Sequence, residues 1–200
     1  MHTDHWDQMY QSREQVFSGE PNGVLVTEAT DLPPGRALDV GCGEGGDAIW
    51  LAGRGWQVTA VDVSPTALAR AAAAGAAVAD RVTWQRADLL SAPPPAAAFD
   101  LVSAQYFHPP RAAGDDAVRG LLAAVAPGGT LLVAGHDPGD LTEHDHHGFD
   151  PAGYYQPADI AALLDDGWTV EIDGSRPRTS PAPPGTRHTH DLVLRARRTG

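Results

Sequence analysis

The chain predicts a doubly wound α/β fold, a central sheet with helices on both faces. Three observations carry that prediction. Ala37-Leu-Asp-Val-Gly-Cys-Gly-Glu-Gly45 runs from apolar residues through an acid into glycines at every second position, and a helix-compatible stretch, Asp47–Ala52, follows. That is how a buried parallel strand turns sharply into a helix, leaving backbone that a ligand can approach closely. About twenty residues further on, the apolar run Val58–Val61 ends in Asp62, where a doubly wound fold puts the acid that holds a ribose diol. The rest of the chain alternates apolar runs with helical stretches and shows no internal repeat or linker.

Each element has a local signature. Residues 3–18 are expected to form a helix with aromatics at Trp6, Tyr10 and Phe17, the first two sharing a face at i, i+4. Gly23–Ala29 is a second short helix, closed by Leu32-Pro-Pro-Gly35. The first strand is Arg36–Val40, its helix runs over about Gly45–Ala52, and the second strand is Gln57–Val61. Ser64-Pro65 starts an alanine-rich helix to about Ala74, with serine as N-cap and proline in the first turn. Val82–Arg86 is the third strand, Ser91–Ala98 a proline-rich crossing loop, and Phe99–Ala104 the fourth strand. Helix Asp115–Ala126 precedes the fifth strand, Thr130–Ala134. Gly135–Gln156, rich in Gly, Pro, Asp and His, is expected to be a surface loop or lid. Pro157–Leu164 is a helix, and Thr169–Ile172 and Asp191–Ala196 are closing strands joined through the polar connection Ser175–Gly185.

Composition bounds the function. Two hundred residues suit one domain with a proper core, a single unit over 1–200 with an N-terminal helical cap (1–30) and a lid loop (136–156). Apolar residues make up 42% of the chain, no run approaches a membrane span, and the N-terminus is polar and acidic, so a cytoplasmic protein is expected. The net charge of -12 argues against nucleic acid as substrate, because phosphate contacts need clustered basic residues. A small-molecule substrate and no membrane partner are expected; the oligomeric state is left open. Cys42, the single cysteine, excludes an internal disulfide and is expected to pack or touch a cofactor rather than act as a nucleophile.

The glycine turn implies an adenosine-containing cofactor. Gly41, Gly43 and Gly46 also satisfy G-x-G-x-x-G, so NAD(P)-dependent oxidation is one alternative. Asp39 inside the turn favours a cofactor with an ammonium group, since it would repel a pyrophosphate. Asp88, in Arg86-Ala-Asp-Leu89 after the third strand, is placed to accept from an adenine amino group.

Together these segments resemble the class I S-adenosylmethionine-dependent methyltransferases. Leu38-Asp-Val-Gly-Cys-Gly-Glu-Gly45 matches their first motif, Val61-Asp62 the ribose acid, Ala87-Asp-Leu89 the adenine motif, and Pro127-Gly-Gly129 the turn before the fifth strand. The resemblance implies a Rossmann-like sheet of seven strands, mostly parallel with the last antiparallel. It implies S-adenosyl-L-methionine as cofactor, held by Asp39, Gly41, Cys42, Gly43, Asp62, Val63, Asp88, Leu89 and Gln105. Trp6-Asp-Gln-Met-Tyr10 with Glu20-Pro-Asn22 resembles the tellurite-resistance and thiopurine branch, in which an N-terminal helix closes over the cofactor through residues such as Trp6 and Tyr10. The Ala-Gln-Tyr-Phe run after the fourth strand lacks the Asn/Asp-Pro-Pro-aromatic pattern of enzymes that methylate base amines. A cofactor-binding protein with no methyl-transfer role is the other alternative, since fold alone does not fix chemistry.

Nine histidines remain. His108 and His136, after the fourth and fifth strands, are the candidate general bases for a thiol, phenol or ring nitrogen. His188 and His190 are expected in the last strand on a shared face. His144, His146 and His147, with Asp140, Glu143 and Asp145, carry donors for zinc or nickel but match no rigid motif, so no metal is assigned.

Overall fold

The computed structural model describes residues 3–140, 150–181 and 188–200. Its elements are α1 (Thr3–Gln11), α2 (Gly23–Ala29), β1 (Arg36–Val40), α3 (Gly46–Gly53), β2 (Gln57–Asp62), α4 (Pro65–Ala74), β3 (Val82–Arg86), β4 (Phe99–Gln105), α5 (Asp116–Ala124), β5 (Val125–His136), α6 (Pro157–Ala161), β6 (Trp168–Pro177) and β7 (His190–Arg198). The strands form one seven-stranded sheet in the order β3-β2-β1-β4-β5-β7-β6. The first five strands pair in parallel, and β7 enters antiparallel between β5 and β6. This is the Rossmann-like sheet that the sequence predicts.

Strand periodicity builds two cores. Leu38 and Val40 of β1, Val102 of β4 and Leu131 and Val133 of β5 face one side, where Val118, Leu121 and Leu122 of α5 and Ile160 of α6 cover them. Ala37, Leu101, Leu132 and Ala134, one residue out of phase, face the other side against Leu25 of α2 and Leu51 of α3. Both faces of the central strands are thus dry, which is why they are continuous apolar runs rather than alternating ones. Ser64 caps α4 as expected, accepting from the Ala67 N–H at 3.1 Å, with Pro65 in the first turn.

Several boundaries differ from expectation, among them β6, which runs on to Pro177 through residues expected in the connection that follows it. Helix α1 stops at Gln11 instead of reaching residue 18. Beyond it the backbone N–H groups of Val16 and Phe17 turn to the Glu44 carboxylate at 3.1 and 2.9 Å, bonds that a helix could not offer. Phe17 still meets the Tyr10 ring, with centroids 6.1 Å apart, through the reversal of the chain. Strand β5 begins at Val125, because Ala126–Gly129 is absorbed as a bulge between the pairs Phe99–Val125 and Leu101–Thr130. Helix α6 ends at Ala161 rather than Leu164. His188 lies before β7 rather than within it. Residues 141–149 of the expected lid, including His144, His146 and His147, and residues 182–187 lie outside the described residues.

Among the described residues no helix is long and apolar enough to cross a membrane.

Candidate functional site

The turn after β1 is tied to the end of β2. The N–H groups of Gly41 and Cys42 both donate to the Val61 carbonyl, at 2.8 and 3.0 Å. The Gly43 N–H donates to Asp62 Oδ2 at 2.9 Å, and the Ser64 N–H to Asp62 Oδ1 at 2.8 Å. One carboxylate therefore fixes both the turn and the entry to α4. Gly43 has φ +52°, and a Cβ there would lie 2.7 Å from the Tyr10 hydroxyl. Gly45 has φ +88°, and its Cβ would meet Trp84 and Ala71 at 2.7 and 2.8 Å. Only glycine serves at both positions.

Four largely buried carboxylates ring the turn: Asp39, Glu44, Asp47 and Asp62. Asp47 is held by the backbone N–H and side-chain amide of Asn22, at 2.7 and 2.8 Å. Glu44 takes Val16, Phe17 and the Arg70 guanidinium, the last at 2.9 Å. Asp39 is different. Ala48's backbone N–H bonds its carboxylate, but Oδ2 is buried with no partner among the described residues. Burial, reinforced by Asp47 and Asp62, pushes its carboxyl well above the usual range. Gln105 at the end of β4 donates to Ser103 Oγ at 3.0 Å and also leaves its Oε1 buried and unbonded. Such acceptors cost roughly 1–3 kcal/mol each when unsatisfied, so both call for a donor.

Burial first, then Asp39 and Asp62, raise the Cys42 thiol far above its ordinary range, which leaves it a small packing group. Tyr10 is buried over the turn, while Trp6 on the same helix stays 36% exposed with its ring edge toward His5. Val63 is half-buried and its carbonyl accepts from Arg86 Nε at 3.2 Å. Asp88 is half-buried after β3, its carboxylate accepting from the Leu90 N–H at 3.0 Å, and Leu89 is part of the core.

Farther along the carboxyl edge, the histidines separate. The His108 ring lies against Gly135, where an added Cβ would come within 2.9 Å of Cε1. Burial lowers its pKa, and a backbone hydrogen bond at Tyr155 partly offsets this. His136 is sandwiched between Tyr106 (4.4 Å, 28°) and His188 (3.9 Å, 9°). Its Nδ1 lies 3.3 Å from Arg178 Nη1; because arginine only donates, Nδ1 is the acceptor and its lone pair is engaged. Burial, then His188 and Arg178, bring His136 down to about 3.

Residues with no role assigned from the sequence complete this edge. Arg178 Nη1 also donates to Tyr106 Oη at 3.0 Å and Asp191 Oδ1 at 2.6 Å, and Tyr106 Oη donates to the same Asp191 oxygen at 3.0 Å. Tyr106 has φ +55°, strained for a non-glycine residue, and strain of that kind clusters at functional sites. Its position just after a strand was the one local clue. Asp140 is occupied by Thr189 and His190, and among the described residues no group of three ligands could hold a metal ion.

Known proteins share this architecture. The family model described as "Methyltransferase domain" matches residues 37–129. Ribosomal RNA small subunit methyltransferase C of Alcanivorax borkumensis is 36% identical over 110 residues, 52% of this chain and 33% of its own length. The 27-O-demethylrifamycin SV methyltransferase of Amycolatopsis mediterranei is 34% identical over 108 residues, 51% of this chain and 38% of its own. The chain thus spans only about a third of each curated relative. The N-methyltransferase NodS of Bradyrhizobium japonicum WM9, solved with S-adenosyl-L-homocysteine, superposes with a TM-score of 0.74 at 17% identity, covering 99% of this chain and 98% of its own.

Proposed function

We propose that the chain, whose residues 37–129 match the methyltransferase-domain family model, transfers a methyl group from S-adenosylmethionine to a small-molecule acceptor. The observation that carries this is the ring of buried carboxylates with two unpartnered acceptors, Asp39 Oδ2 and Gln105 Oε1. A cationic ligand suits that lining, and an ammonium group supplies the missing donors. A dinucleotide's pyrophosphate would meet the same carboxylates and be repelled. Asp39 and Gln105 would hold the amino-acid end, Asp62 the ribose hydroxyls and Asp88 the adenine amine. When bound, S-adenosylmethionine supplies a methyl group already activated on a sulfonium. The protein's part is then to align, to exclude water and, where the acceptor carries a proton, to remove it.

The small-molecule assignment follows from charge. One relative is named for RNA and the other for a rifamycin. A net charge of -12 opposes the first kind of acceptor and not the second. Calorimetric titration with S-adenosylmethionine and with NAD, followed by an assay of S-adenosylhomocysteine release over thiols, phenols, amines and carboxylic acids, tests the proposal. Tight binding of the first cofactor with release on a small acceptor is expected. Binding without release from any acceptor would move the chain to the non-methylating alternative.

Of the two histidines, His108 is the better base, since the His136 lone pair is spent on Arg178. His108→Ala should lower kcat by about a hundredfold on an acceptor that must lose a proton, and far less on one already ionised. Equal losses on both acceptor types would make His108 a packing residue.

Cofactor binding should also depend on pH through Asp39. Its ligand-free pKa is raised by burial and by Asp47 and Asp62, and an ammonium beside it would lower it again. Binding then releases a proton. Affinity should rise with pH, by up to about tenfold per unit, until Asp39 is ionised in the free protein, and level off above. Titrations across pH 4–8 (about that range suffices) check the sign, and Asp39→Asn should flatten the dependence. Affinity that falls as pH rises contradicts the assignment.

A further inference from the structure

The edge formed by β4, β5 and β7 holds a guanidinium that methyl transfer by itself does not require. Arg178 follows β6, and its side chain is only 8% exposed. Among the described residues, its side-chain hydrogen bonds leave from Nη1, whose two hydrogens are shared between Tyr106, His136 and Asp191. On the opposite edge of the fork, Nε is buried with no acceptor among the described residues. That Nε edge, with Nη2, is the one that grips a carboxylate through two parallel N–H···O bonds. We propose that Arg178 is the acceptor-recognition residue and that the methyl acceptor is a small molecule bearing a carboxylate, docked on this Nε edge.

The surroundings favour this ligand. Asp191 and Tyr106 hold the guanidinium from its Nη1 side, so the plane of the fork is set before a ligand arrives. His136 faces the same nitrogen through Nδ1 and packs between Tyr106 and His188, so the three rings are stacked beside the guanidinium. Asp191 balances the guanidinium on one side; five donors allow a second carboxylate on the other. The cluster stands at the carboxyl end of β5 and the start of β7, paired through His136 and Asp191. It adjoins β4, whose last residue, Gln105, belongs to the proposed cofactor end. The inference rests on the methyltransferase proposal for its place in the reaction, but the docking itself can be measured without turnover.

The test uses matched pairs of hydroxy-, mercapto- and amino-substituted benzoic and alkanoic acids and their carboxamides. Binding is measured by calorimetry on protein saturated with S-adenosylhomocysteine, and turnover by its release. Acids are expected to bind and react better than their amides by roughly tenfold or more, the worth of one charge-assisted pair. Arg178→Gln should erase the preference while S-adenosylmethionine affinity stays within about twofold, the site being separate. Arg178→Lys keeps the charge but not the fork, so it should fold with near wild-type Tm and lose most of the preference. Acids no better than amides in both readouts, or a preference that survives in a folded Arg178→Lys protein, would overturn the proposal. Turnover of amides and acids alike would remove the carboxylate subsite and leave methyl transfer standing; failure to bind S-adenosylmethionine would remove the methyltransferase reading instead.

Discussion

Asp62→Ala is expected to weaken S-adenosylmethionine binding by about a hundredfold or more while lowering Tm only modestly, because the two effects have different sizes. Two charge-assisted bonds to the ribose hydroxyls would be lost at roughly 1.5–3 kcal/mol each. The bonds from Gly43 and Ser64 would go with them, freeing the turn after β1 and the entry to α4. Against this, the carboxylate is costly to bury: desolvation raises its pKa in spite of the three backbone N–H groups of Ser64, Gly43 and Val63. Removing it returns part of that cost to the fold, so stability should change less than binding does. Asp62→Asn, which keeps an acceptor for one backbone donor, should fall between. Calorimetry and thermal unfolding of the same samples check both halves. An unchanged Kd would take the ribose away from Asp62.

Gly43→Val should abolish measurable cofactor binding. At φ +52° a β-branched residue is strained by itself, and the new Cβ would sit 2.7 Å from the Tyr10 hydroxyl. Neither neighbour yields readily: Tyr10 is buried, and the turn is clamped by Val61 and Asp62. Gly43→Ala should lose less, and adding Tyr10→Phe should recover part of the loss, since it deletes the oxygen in the way. Isothermal titration of the three proteins, with circular dichroism to confirm folding, separates strain from collision. A folded Gly43→Val protein with wild-type affinity would mean that the turn does not touch the ligand.

The turn after β1 and its acids, to which the proposal assigns the cofactor, were legible because their signal is local. A strand, an acid and alternating glycines lie within one short run, and the acids at Asp62 and Asp88 each follow an apolar strand. The rest of the site was not. Tyr106, Arg178 and Asp191 come from three segments, with Tyr106 and Asp191 separated by 85 residues, and no spacing in the sequence announces their meeting. Sequence reasoning took the histidines nearby as the signal and gave His136 a proton-transfer role; the structure has its lone pair facing an arginine. It also carried α1 on to residue 18, taking Phe17 into the same helix as Trp6 and Tyr10. Phe17 does touch Tyr10, but by way of a chain reversal around Glu44. Pro127-Gly-Gly129 looked like a break before a strand and is instead a bulge within one.

Helix α1 has a consequence for the order in which the molecule assembles. It is nine residues long, well below the length at which a helix persists alone in water. Its ties reach far along the chain: Asp7 to Ser64 and Thr66, and Arg70 back to the Tyr10 and Arg13 carbonyls. None of these partners is in place until β1, β2 and α4 have come together. The N-terminal segment therefore docks last as the chain folds and detaches first when it opens, at a free energy below that of global unfolding. Amide hydrogens of residues 5–17 should exchange ahead of those in β1 and β4, and proteolysis under native conditions should begin there.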